Sequence, residues 1–379
     1  MDFALDDEQE QLQQSAHKYL DSLGGVQLAR RYGDNRENAA LDQVWKGITD
    51  LGYGGILIPE EYGGLGLGMV SMVPVMEELG RYVTPGAFPE TYAFAAPLIS
   101  HAGSEAQKQE LLAKIIDGSA RFALGLAEAS TYSVPDEIRL TAERDGDNFV
   151  ISGTKTFVWE ADSATHFIIV ARTRSGTGLE GLSAFLVPAG TAGLNLHERG
   201  SLDLSRRLFD LELNHLVLDP KTLIGGEGVT GPYINEAVQF LTSAIISQMV
   251  GAMDQLVELS TNYAKTREQF GQPIGRFQGV KHRIADMQVK KEMARSLSYY
   301  AAWALEANAP DAGEAVAAAK SYAGEAFIQL ASDNIQNHGG MGFTWEVDAH
   351  FYLKRAKAWE NYLGNPRSHR EKLATALGW

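Results

Sequence analysis

A chain of 379 residues, 45% hydrophobic and 21% charged, is long enough for two or three domains with a sizeable buried core. Its 33 lysines and arginines against 48 acidic residues give a net charge of −15, which repels phosphate backbones and argues against a nucleic-acid partner. The absence of cysteine excludes disulfides, thiolate metal sites, iron–sulfur clusters and cysteine nucleophiles together.

Residues 1–14 are acidic and polar, unlike a secretory signal or a transit peptide, so a cytoplasmic location is expected. No apolar run approaches the roughly 20 residues of a membrane span, so no membrane association is expected. Residues 3–22 read as a helix, and residues 51–68 as a long glycine-rich loop. Residues 71–82 return to a helix with Pro74 in its first turn. The stretch 98–117 carries another, with Ser104 and Gln107 in capping-box spacing. Residues 122–231 read as strands: a hairpin signal at Asp145-Gly146, short apolar runs at 166–171 and 182–187, and an alternating run at 208–213. From Pro232 onward, apolar residues recur at steps of three and four from Ile234 to Tyr263, an amphipathic helix of about 45 Å. Two further long helices follow, one carrying Phe277 to Leu305 and one over about 312–337. Helical, then β, then helical predicts an α+β multidomain chain: residues 1–121, 122–231 and 232–379. The wide apolar face of the last part favours oligomers.

The run from Gly226 to Gly231 matches G-x-G-x-x-G. It leaves an antiparallel-looking sheet and enters a bundle helix, so it reads as an interdomain loop rather than a dinucleotide site. Two segments are more specific. Residues 263–278, followed by Lys281 and His282, place Arg267 at a helix end beside a Gly-Gln-Pro turn, where its forked donors suit a pyrophosphate or helix carbonyls. Residues 336–346 set Gly339 and Gly340 after Gln336, which suits close approach to a nucleotide or a helix C-cap. A lone histidine such as His282 or His338 is more often packed than catalytic. No histidine pair has zinc spacing together with a carboxylate, so no metal is expected.

Taken with residues 51–81, these segments resemble the acyl-CoA dehydrogenase family over nearly the whole chain. The resemblance implies a helical N-domain, a middle β-barrel or sandwich domain and a C-terminal four-helix bundle, usually in a tetramer. It implies FAD lying between the β domain of one subunit and the C-terminal domain of a neighbour. Arg267, Phe270, Phe277, Gln278, Gln336, Gly339 and Gly340 are the positions implied to contact a neighbour's FAD. An acyl-CoA substrate and re-oxidation by an electron-transferring flavoprotein are implied as well.

The chemical side of the pattern departs from the family. The glutamate base falls, counted without gaps from Gly340, on Leu363. Its alternative place on the first long C-terminal helix falls on Leu241, beside Thr242. Neither can take a proton. The family's threonine-glutamate-proline and glycine-serine-aspartate give way to residues 126–135. Its tryptophan-isoleucine-threonine, which lines the flavin ring, corresponds to Phe157-Val158-Trp159, an indole in place of a hydroxyl. A chain that keeps the half-site it lends and loses its own resembles the non-catalytic subunit of heterotetrameric (α2β2) bacterial acyl-CoA dehydrogenases, completing the FAD site of a related catalytic subunit. Two alternatives stand beside it. One is a self-sufficient homotetramer with a relocated base, Glu236 or Glu360. The other is a non-enzymatic binding protein on the same fold.

Overall fold

The computed structural model describes residues 5–129 and 135–379. The chain opens with α1 (Asp7–Ser22), α2 (Gln27–Gly33), α3 (Asn38–Asp50) and α4 (Met69–Arg81). A widened helical turn at Pro89–Ala95 then leads into α5 (Ala96–Ala102), α6 (Glu105–Gln107) and α7 (Ala113–Ile116). The start of α1 is fixed by Asp6, whose side chain accepts from the Gln9 backbone while Gln9 reaches back, a capping box that satisfies two orphan N–H groups. The expected box at Ser104 and Gln107 is present, with bonds of 2.9 and 3.3 Å. Helix α4 starts at Met69, two residues before the expected position, so Pro74 lies inside the helix and not in its first turn. One backbone bond is lost there, and close packing on both sides holds the helix together.

The middle of the chain forms two four-stranded sheets. Strands β1 (Phe122–Gly125), β4 (His166–Arg172), β5 (Leu182–Pro188) and β8 (Leu223–Ile224) make one, in the order β1-β4-β5-β8. Strands β2 (Ala142–Asp145), β3 (Asn148–Trp159), β6 (Leu194–Arg199) and β7 (Leu208–Leu218) make the other, in the order β2-β3-β7-β6. The hairpin expected at Asp145-Gly146 joins β2 to β3, with Gly146 at φ +59°. The first sheet is not purely antiparallel: β1 pairs in parallel with β4, because the chain visits the other sheet before returning beside β1 in the same direction. Phe149, Ile151, Phe167, Ile169, Phe185 and Leu211 fill the space between the sheets.

The last part is a bundle of α8 (Gly231–Thr266), α9 (Gln278–Glu306), α10 (Ala312–His338), α11 (Ala349–Asn361) and α12 (Pro366–Ala376). The G-x-G-x-x-G run is the loop from β8 into α8, with the Thr230 hydroxyl donating to the carbonyls of Ile224 and Gly226 at 3.0 Å. Helix α8 has 36 residues, about 54 Å, longer than its periodicity suggested. By length and composition it could cross a membrane, contrary to the expectation of no such run, yet 78% of that apolar window is buried inside the protein. It is apolar on several faces because α4, α9 and α10 all pack on it. Two glycines allow the closest of these approaches. A Cβ on Gly80 would meet the Gln248 carbonyl oxygen at 1.9 Å, and one on Gly251 would meet that of Glu77 at 1.7 Å.

Candidate functional site

The residues expected to face a neighbour's flavin lie together at one end of the bundle, and they face outward. Helix α8 ends at Arg267, whose extended backbone starts the short hairpin β9 (Glu268–Gln269) and β10 (Gln272–Pro273). Phe270 and Gly271 form its two-residue turn with φ of +53° and +77°, the pattern of a type I′ turn. A bulky aromatic rarely takes positive φ, so the turn carries local strain. The turn holds the Phe270 ring, 92% exposed, off the surface, edge-on to Phe277 with centroids 6.0 Å apart. The Arg267 guanidinium is exposed and has no ion-pair or hydrogen-bond partner among the described residues. Residues 265–283 hold five lysines and arginines against one acidic residue, a basic strip in a chain of net charge −15. Gln278 is exposed at the start of α9, and Gln336 is exposed in the last turn of α10. Beyond it Gly339 takes φ +58° with ψ −136°, which only glycine adopts readily, and a Cβ on Gly340 would meet open space. Free guanidinium donors, an upright aromatic ring and bare backbone in one basic region fit a nucleotide diphosphate.

The opposite half, where β3 meets the α11–α12 loop, is built differently. Trp159 ends β3 and is only 5% exposed, edge-on to Tyr362 at 6.1 Å between centroids. The Arg206 guanidinium, 1% exposed, lies over the indole at 5.3 Å. Its Nη2 donates to Glu90 Oε2 at 2.9 Å, and its Nε faces Glu160 Oε1 at 3.7 Å. The Tyr362 hydroxyl donates to the other Glu90 oxygen at 3.1 Å. Glu160 in turn accepts from the Tyr32 hydroxyl at 2.5 Å and from the Arg207 backbone at 3.2 Å. Burial, only partly offset by Arg206, holds the Glu160 carboxyl up at about 7. Burial works against the charge on Arg206, and the two carboxylates outweigh it and keep the guanidinium protonated. Alongside, Asp203 pairs with Arg355, which also donates to Ser205. Phe157, two residues before Trp159, is half exposed under Arg199. Glu128 accepts from Lys155 at 2.7 Å and from the backbone of Arg139 and Leu140. Burial pulls Lys155 down to about 8 against the attraction of Glu128. Of the divergent stretch 126–135, residues 130–134 lie outside the described residues.

Both positions where a base was sought are sealed hydrocarbon: Leu241 and Leu363 are at most 1% exposed. Leu363 takes φ +62° in a loop held from behind by Lys320, whose buried Nζ donates to the carbonyls of Trp359, Glu360 and Gly364 at 2.9–3.2 Å. His369 Nε2 donates to the Leu363 carbonyl at 3.0 Å. Leu363, His369, Lys372, Val238 and Thr242 line a pocket of about 210 Å³ between α8, α10 and α12. The structure commits the two candidate carboxylates elsewhere. Glu236 pairs with His101 at 3.1 Å near the surface, and Glu360 faces Lys357 at 3.8 Å. The carboxylate that does reach the Leu363 loop is Glu90, through Tyr362, and sequence reading missed it along with Glu160 and Arg206. Only the Glu160 position offered a local signal, since it directly follows Trp159.

Residues 6–119 match the acyl-CoA dehydrogenase N-terminal domain, 123–212 the middle domain and 232–378 the C-terminal domain. A probable acyl-CoA dehydrogenase of Bacillus subtilis, YngJ, is 32% identical over 352 residues, 88% of each chain. The chain belongs to the acyl-CoA dehydrogenase family. Among solved structures of the same fold, PigA in complex with FAD superposes with a TM-score of 0.91 at 26% identity, covering 100% of this chain and 99% of that one. A glutaryl-coenzyme A dehydrogenase bound to glutaryl-CoA superposes at 0.92 and 26% identity, covering 100% and 97%. The family's three-domain order of helices, sheets and bundle is the architecture of this chain.

Proposed function

We propose that this chain is the accessory subunit of an acyl-CoA dehydrogenase-type flavoprotein: it supplies half of a FAD site to a related chain that carries the base. One observation carries the reading. Arg267, Phe270, Gln278 and Gln336, the residues expected to meet a neighbour's cofactor, are exposed, and the Arg267 guanidinium has no partner among the described residues, whereas Trp159, Tyr362, Leu363 and Arg206 are buried against one another. FAD is the cofactor this half-site serves. Bound there, FAD would supply a hydride acceptor for the carbon next but one to a thioester carbonyl. Arg267 would neutralise the pyrophosphate, Phe270 and Phe277 would pack against the adenine side, and Gln336, Gly339 and Gly340 would approach the nucleotide with backbone and amide donors. The proton at the adjacent carbon needs an acceptor, and Leu241 and Leu363 provide none. Glu90 stands near Leu363, but Arg206 and Tyr362 hold both of its oxygens. An acyl-CoA thioester as substrate and an electron-transferring flavoprotein as oxidant fit the family. The partner is a related chain with an intact glutamate and flavin-ring pocket.

The test is co-expression with such a chain. The complex should hold one flavin per two chains and desaturate acyl-CoA. Arg267→Ala in this subunit should weaken flavin retention by tenfold or more, read from visible absorbance after gel filtration. Full retention by that variant overturns the reading.

A further inference from the structure

We infer that Trp159, clamped by Arg206 between Glu90 and Glu160, is a built-in plug that keeps flavin out of this chain's own half-site. The inference rests on the accessory-subunit reading and goes further by naming the residues that fill this half-site. The sheet-side half of the fold does not fit the cofactor that the family carries, and the misfit is physical. An indole stands at the end of β3 where the family resemblance implies a small hydroxyl, and it packs edge-on against Tyr362, one residue from the Leu363 position. The contact is not a loose collapse of apolar rings. Arg206 lies on the indole face, and its guanidinium is tied to Glu90 from the helical domain and faces Glu160 from the sheet domain.

Each member of the cluster holds another. Glu90 is shared between Arg206 and Tyr362, and Glu160 between Tyr32, the Arg207 backbone and Arg206. The cluster therefore ties the Pro89–Ala95 turn, α2, β3 and the α11–α12 loop together across the domain junction. Admitting a flat tricyclic ring would require moving the indole, which strips the Arg206 cation of its aromatic face and exposes an ion pair that is almost wholly buried. Arg206 Nε and Nη1 already lack a hydrogen-bond partner among the described residues. The cluster is thus held by charge and packing more than by a complete set of bonds, and the indole is its lid.

The test uses the full chain titrated with FAD. Trp159→Thr, which removes the ring and restores a hydroxyl, should bind FAD at least tenfold more tightly than the wild-type chain and approach one flavin per chain. Trp159→Phe, which keeps an aromatic plug, should behave as wild type. A folded Trp159→Thr chain of unchanged oligomeric state that gains no affinity overturns the inference. A second measurement needs no variant: hydrogen exchange in wild-type protein with and without saturating FAD. Peptides covering 156–160 and 362–364 should be unchanged, and those covering 265–278 and 336–340 protected in a complex with the partner. Protection at 156–160 by FAD in the wild-type chain alone overturns the plug. Loss of the partner's flavin on Arg267→Ala supports the accessory reading whichever way Trp159→Thr behaves, so the two ideas fail separately.

Discussion

Arg206 is the residue on which the buried cluster turns. Its positive charge is surrounded by protein, and its value lies in cancelling Glu90 and Glu160 rather than in adding stability outright. Arg206→Met removes the cation while leaving both carboxylates in place. It should lower the unfolding free energy by about 3–5 kcal/mol, read as a fall in the urea midpoint. A much smaller loss would mean that water reaches the cluster. At this scale the sequence is half legible. Arg267, Phe270, Gln336 and the two glycines can be singled out because each lies in a short contiguous motif, and the structure brings them to one end of the bundle. The Arg206 cluster is not, because its bonds join residues 116 and 128 positions apart and no local pattern announces them. Glu236 and Glu360 are reasonable candidates by position along the chain, yet a carboxylate three residues from Leu363 can point away from it, as Glu360 does toward Lys357.

At the scale of elements, the junction of α4 with α8 sets how the N-terminal helices seat on the bundle. The two backbones approach so closely that each helix presents a glycine to a carbonyl of the other. A main-chain carbonyl cannot swing aside as a side chain does, so Gly251→Ala must push the helices apart. It should cost about 2–3 kcal/mol in thermal unfolding, near the upper end for a single added methyl. Gly279→Ala is the control: it lies in α9, where an added methyl would meet open space, and it should be neutral or stabilising by up to about 1 kcal/mol. The helices and strands are largely visible in the periodicity of the sequence. What periodicity cannot supply is the parallel pairing of β1 with β4 and the interior position of Pro74. The first is a matter of where the chain returns, and the second of where an uncapped helix begins.

For the molecule as a whole, stability should depend on pH through its buried imidazoles. Burial first, and then the neighbouring Lys320 and Lys372, push the His369 pKa down to about 3. The folded chain therefore keeps this ring neutral while the unfolded chain protonates it near the ordinary value of 6.5. Its contribution is complete above that value and is lost progressively as pH falls from 6.5 toward 3. Glu77 and Glu160, raised to about 7, act in the opposite sense and gain stability as pH falls from 7 toward 4.5. Comparing wild type with His369→Asn cancels the carboxylates. The variant should start less stable, having lost the bond to the Leu363 carbonyl, but its stability should fall less steeply between about pH 6 and 3, by about 1.4 kcal/mol per pH unit. Parallel slopes in urea titrations at several pH values would contradict the assignment.

The hairpin that lifts Phe270 off the end of α8 has a consequence in mass action. On the proposed shared-site reading, a nucleotide gripped by that hairpin would belong to no single chain, and its retention would be a property of the subunit concentration. Dilution that separates the subunits should then also release the yellow cofactor, and added cofactor should draw the subunits back together.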